Sequence, residues 1–91
     1  MSEGRPEISV VIPCYNEEAI LRQSVGELHI GLTALNRTFE IIISENGSRD
    51  DTRKIATELA NEMPEVRFLF ADEPNYGKAL RRGIESALGT Y

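Results

Sequence analysis

The stretch Ile8-Ser9-Val10-Val11-Ile12-Pro13-Cys14-Tyr15-Asn16-Glu17-Glu18 decides the fold. Its first half is a nearly unbroken β-branched run, apolar on both faces, as a buried parallel strand requires. Pro13 withholds a backbone donor and ends the run. Asn16 then reads as a helix N-cap, and Glu17 and Glu18 suit the positive end of a helix dipole. Leu21, Val25, Leu28, Leu32 and Leu35 follow at alternating steps of four and three, which is one face of an amphipathic helix.

The same pattern recurs twice. Phe39-Glu40-Ile41-Ile42-Ile43-Ser44 is a second core strand. The loop Glu45-Asn46-Gly47-Ser48-Arg49-Asp50-Asp51 is dense in turn residues, and Ser48 with Asp51 resembles a capping box. Ile55, Ala56, Leu59, Ala60 and Met63 mark the inner face of a second helix, stopped by Pro64. Val66-Arg67-Phe68-Leu69-Phe70 is a third strand. A loop from Ala71 to Gly77 leads to a third helix with Leu80, Ile84, Ala87 and Leu88 expected inside and Gly89 as its C-cap. Gly83, inside that helix, implies close helix–sheet packing. Alternating elements with short connections build a parallel sheet with right-handed crossovers. The expected fold class is therefore α/β, three-layer, around a parallel sheet of three βα units. Residues 1–7 are expected to form a flexible tail and residues 8–91 a single domain.

Composition narrows the function. With 91 residues, 41% hydrophobic and 27% charged, the chain has the make-up of a globular domain. No apolar run approaches the ~20 residues of a membrane span, and the first six residues contain no apolar core of a signal peptide. A net charge of −5, no basic stripe and no Trp argue against nucleic acid as a partner. The single cysteine, Cys14, fits a reducing, cytoplasmic compartment and reads as a small hydrophobe. His29 has no second His or Cys at ligand spacing, so no metal site is expected within the chain.

In parallel α/β sheets, ligands bind outside the carboxyl ends of the strands. The polar residues that the core does not need gather there: Tyr15, Asn16 and Glu17; Glu45, Asn46, Gly47 and Ser48; Asp72, Asn75, Gly77 and Lys78. A nucleotide needs a flat surface, carboxylates for ribose hydroxyls, and N–H groups with a cation for its phosphates. Tyr15, Glu17 with Glu45, and Lys78 or Arg81 supply these types. Neither G-x-G-x-x-G nor a P-loop is present.

Three stretches resemble the family 2 glycosyltransferases, which have the GT-A fold. Ile8 to Glu18 resembles that family's opening strand and P-x-Y-N-E turn. Ile42 to Thr52 resembles its V-D-D-G-S-x-D-D-T loop. Pro74 to Ile84 resembles its N-x-G-K-x-x-A-L-R-x-G segment, shorter by about two residues. Gly89-Thr90-Tyr91 fits the G-E-Y that leads into the family's next strand. The resemblance implies a truncated, Rossmann-like GT-A domain that binds a nucleotide diphosphate sugar, UDP- or GDP-linked. The acceptor of such enzymes includes polyprenyl phosphates at the cytoplasmic membrane face. By position, Pro13, Tyr15 and Glu17 would border base and ribose, and Glu45 would take the base-reading role. Asn46 and Ser48 would complete that loop, with Lys78 and Arg81 near the diphosphate. Glu45-Asn46 stands where the family commonly has Asp-Asp.

The family's D-x-D motif, which holds Mg²⁺ or Mn²⁺, and its acceptor-side base belong to later strands. No catalytic residue and no transferase activity are therefore expected of these residues alone. Strand 1, interior in the full fold, is expected to present an open apolar edge and pair with a second copy. Two other readings compete: a receiver-like signalling module with Asp72 as phosphoacceptor, and an α/β interaction module without ligand. Plainer roles compete residue by residue as well. Glu17 and Glu18 can simply complement a helix dipole, Ser48 can be only a cap, and Lys78 can be a surface lysine.

Overall fold

The computed structural model describes residues 5–72 and 76–89, with Tyr76 described through its backbone alone. Pro74, Asn75, Thr90 and Tyr91, which carry part of the family resemblance, lie outside the described residues. The elements run β1 (Ile8–Cys14), α1 (Leu21–Ala34), β2 (Phe39–Asn46), α2 (Thr52–Glu62), β3 (Val66–Ala71) and α3 (Tyr76–Ser86). The three strands form one parallel sheet in the order β1-β2-β3. Ile8 lies opposite Phe39 and Cys14 opposite Glu45, while Ile41 lies opposite Val66 and Asn46 opposite Ala71. The expected α/β architecture is present, and β1 has a strand neighbour on one side only among the described residues.

Strand alternation divides the sheet into two unlike faces. Ile41 and Ile43 point to one side and join Leu21, Val25, Leu32, Ala56, Leu59 and Val66 in a dry cluster. Ile8, Val10, Ile12, Leu28, Ile55, Met63 and Phe68 pack around it. Each fully buried aliphatic side chain here stabilises the fold by about 1.5–3 kcal/mol. Arg22 ties α1 to α2 on the outside, bonding Glu58 and Glu62 at 2.9 Å each.

The other face carries Glu40, Ile42, Ser44 and Asn46 of β2 and is covered by α3. Glu40 is buried but fully engaged. Its Oε2 accepts from Ser9 Oγ at 2.5 Å and from the Leu88 N–H at 2.7 Å, and its Oε1 accepts from Arg67 Nε at 2.8 Å. Arg67 Nη2 also donates to the Ser86 carbonyl. Burial alone would raise the Glu40 pKa, but the hydrogen bonds from Arg67, Ser9 and Leu88 outweigh it and hold the carboxyl below its ordinary value.

Several local expectations change. Asn16 does not cap α1: it sits at φ 52, and α1 starts at Leu21 with Ile20 before it and no side-chain cap. A turn in which the Glu17 carbonyl accepts from the N–H groups of Ile20 and Leu21 comes first. Ser48 does not cap α2. The N-cap is Asp51, which makes no side-chain cap bond, and Asp50, one residue earlier, accepts from the Thr52 N–H at 3.0 Å. Leu35, at the end of α1, is exposed.

The inner face of α3 is also not the one expected. Leu80, Ile84 and Leu88 are exposed, while Ala79 is fully buried. The reason is distance. A Cβ on Gly83 would lie 2.1 Å from Val11 Cγ1, so only small residues fit where the helix crosses β1. Gly89 lies beyond the end of α3 and is no cap; a Cβ there would meet the backbone nitrogen of Ser9 at 2.7 Å. Glu7, expected in the tail, donates its N–H to the Thr38 carbonyl and pairs with Arg37 at 2.8 Å. His29 hydrogen bonds Glu65 at 2.8 Å and meets Phe39 edge-on.

Candidate functional site

The loops after β1 and β2 are laced together at the carboxyl end of the sheet. Asn16 makes two of the bonds: its N–H donates to Ser48 Oγ at 2.9 Å, and its Oδ1 accepts from the Arg49 N–H at 2.8 Å. The Glu17 N–H donates to Thr52 Oγ1 at 2.8 Å, and the Glu18 N–H to Asp50 Oδ2 at 3.3 Å. Asn tolerates the left-handed backbone that aims its amide at the neighbouring loop, and Gly47 at φ 70 makes the matching turn. Tyr15, Asn16, Glu17, Gly47 and Ser48 are thereby brought into one rim.

Beneath that rim sits Glu45, fully buried. Its Oε1 accepts from Arg53 Nε at 2.6 Å, and its Oε2 accepts from the Ser48 N–H. Burial alone would raise its pKa. The Ser48 hydroxyl and N–H, together with the Arg53 guanidinium, overcome that and hold it below its ordinary value. Arg53 is itself fixed by the Ala71 carbonyl and by stacking on Phe70, 4.9 Å from the ring centroid. From sequence alone Arg53 reads as an exposed helix residue, and the signal that points to it is Glu45, a carboxylate eight residues earlier at the end of a core strand.

Cys14, next to Glu45 across the sheet, is buried, and its thiol is pushed up to about 12 by burial and by the nearby Glu45, Glu17 and Asp50 charges. Burial and these charges favour the neutral thiol over the thiolate. Pro13 and Glu17 line a small cleft of about 160 Å³ with Ile12, Cys14, Ile20, Leu21 and Ser24.

A second cavity, about 350 Å³, opens on the α3 side between the ends of β2 and β3, lined by Asn46, Ala71, Asp72, Lys78 and Arg82. Of the two arginines in tandem, Arg81 is exposed and Arg82 lines this cavity. The resemblance points to Arg81 by its position in the family segment, whereas the close contact at Gly83 turns Arg82 toward the cavity. A further cleft of about 380 Å³ lies at the opposite end of the strands, against Pro6, Thr38 and Pro64, away from these loops. No cluster of three or more His, Cys, Asp or Glu side chains able to hold a metal occurs among the described residues.

A parallel α/β sheet with its polar loops joined at the strand carboxyl ends defines the class of this domain, an α/β unit whose exposed polar groups gather where such sheets bind ligands. The family model for glycosyl transferase family 2 matches residues 9–91. The chain belongs to that family. It is similar to the glycosyltransferase AglD of Haloferax volcanii, 40% identical over 91% of this chain and 14% of the relative. It is also similar to the succinoglycan biosynthesis protein ExoA of Rhizobium meliloti, 43% identical over 82% of this chain and 22% of the relative. A third relative is the undecaprenyl-phosphate 4-deoxy-4-formamido-L-arabinose transferase of Pseudomonas savastanoi, 32% identical over 90% of this chain and 25% of the relative. The chain thus spans a quarter or less of the length of these three relatives. Family membership leaves the receiver-like reading of Asp72 without support.

Proposed function

We propose that this chain forms the donor-binding part of a glycosyltransferase that moves a sugar from a nucleotide diphosphate sugar to an acceptor. The observation that carries this reading is the rim itself: the first two family-like stretches meet where a parallel sheet binds ligands and are hydrogen bonded to each other. Tyr15, about one-third exposed at the rim, offers a flat surface for a base. Glu17 offers a carboxylate to ribose hydroxyls. Glu45 acts indirectly in this proposal: with both oxygens engaged, it sets the shape of the loop through the Ser48 N–H. Lys78 lies on the phosphate side.

The acceptor class we propose is a polyprenyl phosphate, in keeping with the name of the Pseudomonas relative, and the site of action the cytoplasmic membrane face. No described helix is long and apolar enough to cross a membrane. We propose also that the edge of β1 that has no strand neighbour among the described residues pairs with a second copy. Light scattering at rising concentration should show a dimer, and a strict monomer would remove this part of the proposal.

The donor reading is tested by amide NMR titration with UDP, GDP and ADP. Shifts centred on residues 15–17 and 45–48 are expected, with one base favoured. Saturating nucleotide that leaves all of these amides unmoved would overturn it.

A further inference from the structure

We propose that Arg82 and Asn46 form an oxyanion subsite in the cavity beside α3, shaped for a phosphoryl group with a hydroxyl next to it. Two atoms on one edge of the Arg82 guanidinium, Nε and Nη2, are buried and have no hydrogen-bond partner. That edge presents two parallel N–H donors, the geometry that grips two oxygens of a phosphate. Asn46 is only 2% exposed, and its Oδ1 is buried without a donor. Both residues line the same cavity of about 350 Å³.

Unsatisfied buried polar groups are costly. The contrast within this face is informative. Glu40 and Arg67, at the other end of the sheet, have their buried groups paired. Arg82 and Asn46 are left open at the strand carboxyl ends, where ligands bind, with the lone hydroxyl of Ser44 unpaired behind them.

The two residues together ask for two acceptor oxygens and one donor. Water satisfies the hydrogen bonds but not the charge. A phosphoryl group with a vicinal hydroxyl satisfies both, and Lys78 on the same wall adds to the positive potential. Asp72, fully exposed at the rim, is directed at Arg53, 3.8 Å away. The phosphoryl group can come from the sugar donor's diphosphate, which rests on the donor reading above, or from free phosphate or pyrophosphate.

The test is calorimetric titration of the protein and its Arg82→Met variant with UDP, GDP, pyrophosphate and phosphate, alongside thermal melts without ligand. The expected result is at least a tenfold loss of affinity in Arg82→Met for each phosphoryl ligand that the wild type binds. The variant's melting temperature should equal or exceed that of the wild type, since two buried donors without partners are removed. Nucleotides binding more tightly than pyrophosphate would assign the subsite to the donor, and equal affinities to phosphate alone. Pyrophosphate binding that depends on Arg82, with no nucleotide binding, would keep the subsite and overturn the donor reading. UDP or GDP binding unchanged in Arg82→Met would overturn the subsite and keep the donor reading. No binding by the wild type would overturn both. A large drop in melting temperature would also overturn the subsite, because it would mean that Arg82 has a structural partner.

Discussion

The two faces of this sheet are built on different principles. Under α1 and α2 the contacts of Val25, Ile41, Ile43, Ala56 and Leu59 are aliphatic and dry, and polar groups enter only at the carboxyl end, where Glu45 meets Arg53. Under α3 the sheet offers Glu40, Ser44 and Asn46 along one row of β2, and the helix approaches on Ala79 and Gly83. One face stores stability. The other trades it for polar groups held in fixed positions, paired at the amino end of the strands and open at the carboxyl end. Neighbouring residues of one strand therefore answer differently to the same substitution.

The largest effect is expected at Ile43, fully exposed to the dry cluster and 0% exposed to solvent. Ile43→Ala should cost about 3–4 kcal/mol, the transfer term plus the cavity left in a packed core. Urea unfolding measures it. A cost below about 1 kcal/mol would mean that the two faces do not differ as described.

Arg53→Met comes next, at about 2–3 kcal/mol near neutral pH. A buried pair broken on one side costs roughly 3–5 kcal/mol, and the partial exposure of Arg53 reduces that through solvent screening. The pH dependence identifies the mechanism. Glu45 has a folded pKa below its ordinary 4.5, so its stabilisation is present above that value and is lost as pH falls through the depressed folded value. Removing Arg53 raises the folded pKa. The deficit of the variant should therefore be widest at neutral pH and shrink below about 4.5. A deficit constant from pH 3 to 7 would show that Arg53 contributes through packing on Phe70 rather than through Glu45.

Gly83→Ala should cost roughly 1–3 kcal/mol by overpacking against Val11, whose stiff β-branched side chain has little room to turn. Combining it with Val11→Ala should recover part of the loss, which a double-mutant cycle reads directly. Additive losses would mean that the helix shifts rather than clashes.

These sites also show what the sequence made legible. The dry face was readable because β-branched runs and the Leu21-Val25-Leu28-Leu32 spacing each declare one face to water and one to the core. The α3 face was not. Its apolar stripe of Leu80, Ile84 and Leu88 has the right period and the wrong direction, because a helix packed this closely is chosen by its smallest residues. That rotation is also why Arg82 rather than Arg81 reaches the cavity. The rim was legible as composition, since Tyr15, Glu17, Asn46 and Ser48 all lie at the strand ends. The engagement of Glu45 was not, because it depends on Arg53 arriving from the next helix.

The smallest effect is the sharpest comparison. Ser44 stands beside Ile43, equally buried, on the opposite face, and its Oγ has no hydrogen-bond partner. Removing a buried hydroxyl that bonds nothing relieves an unsatisfied group and leaves only a small void. Ser44→Ala should therefore be neutral to about 1 kcal/mol stabilising, against the 3–4 kcal/mol lost one residue earlier. Urea unfolding of the pair under one buffer compares them. A loss above about 1 kcal/mol at Ser44 would mean that a fixed water bridges it to Asn46. The polar row under α3 would then be a closed structural network, its open end at Asn46 would be sealed, and the face would resemble its dry counterpart in purpose if not in chemistry.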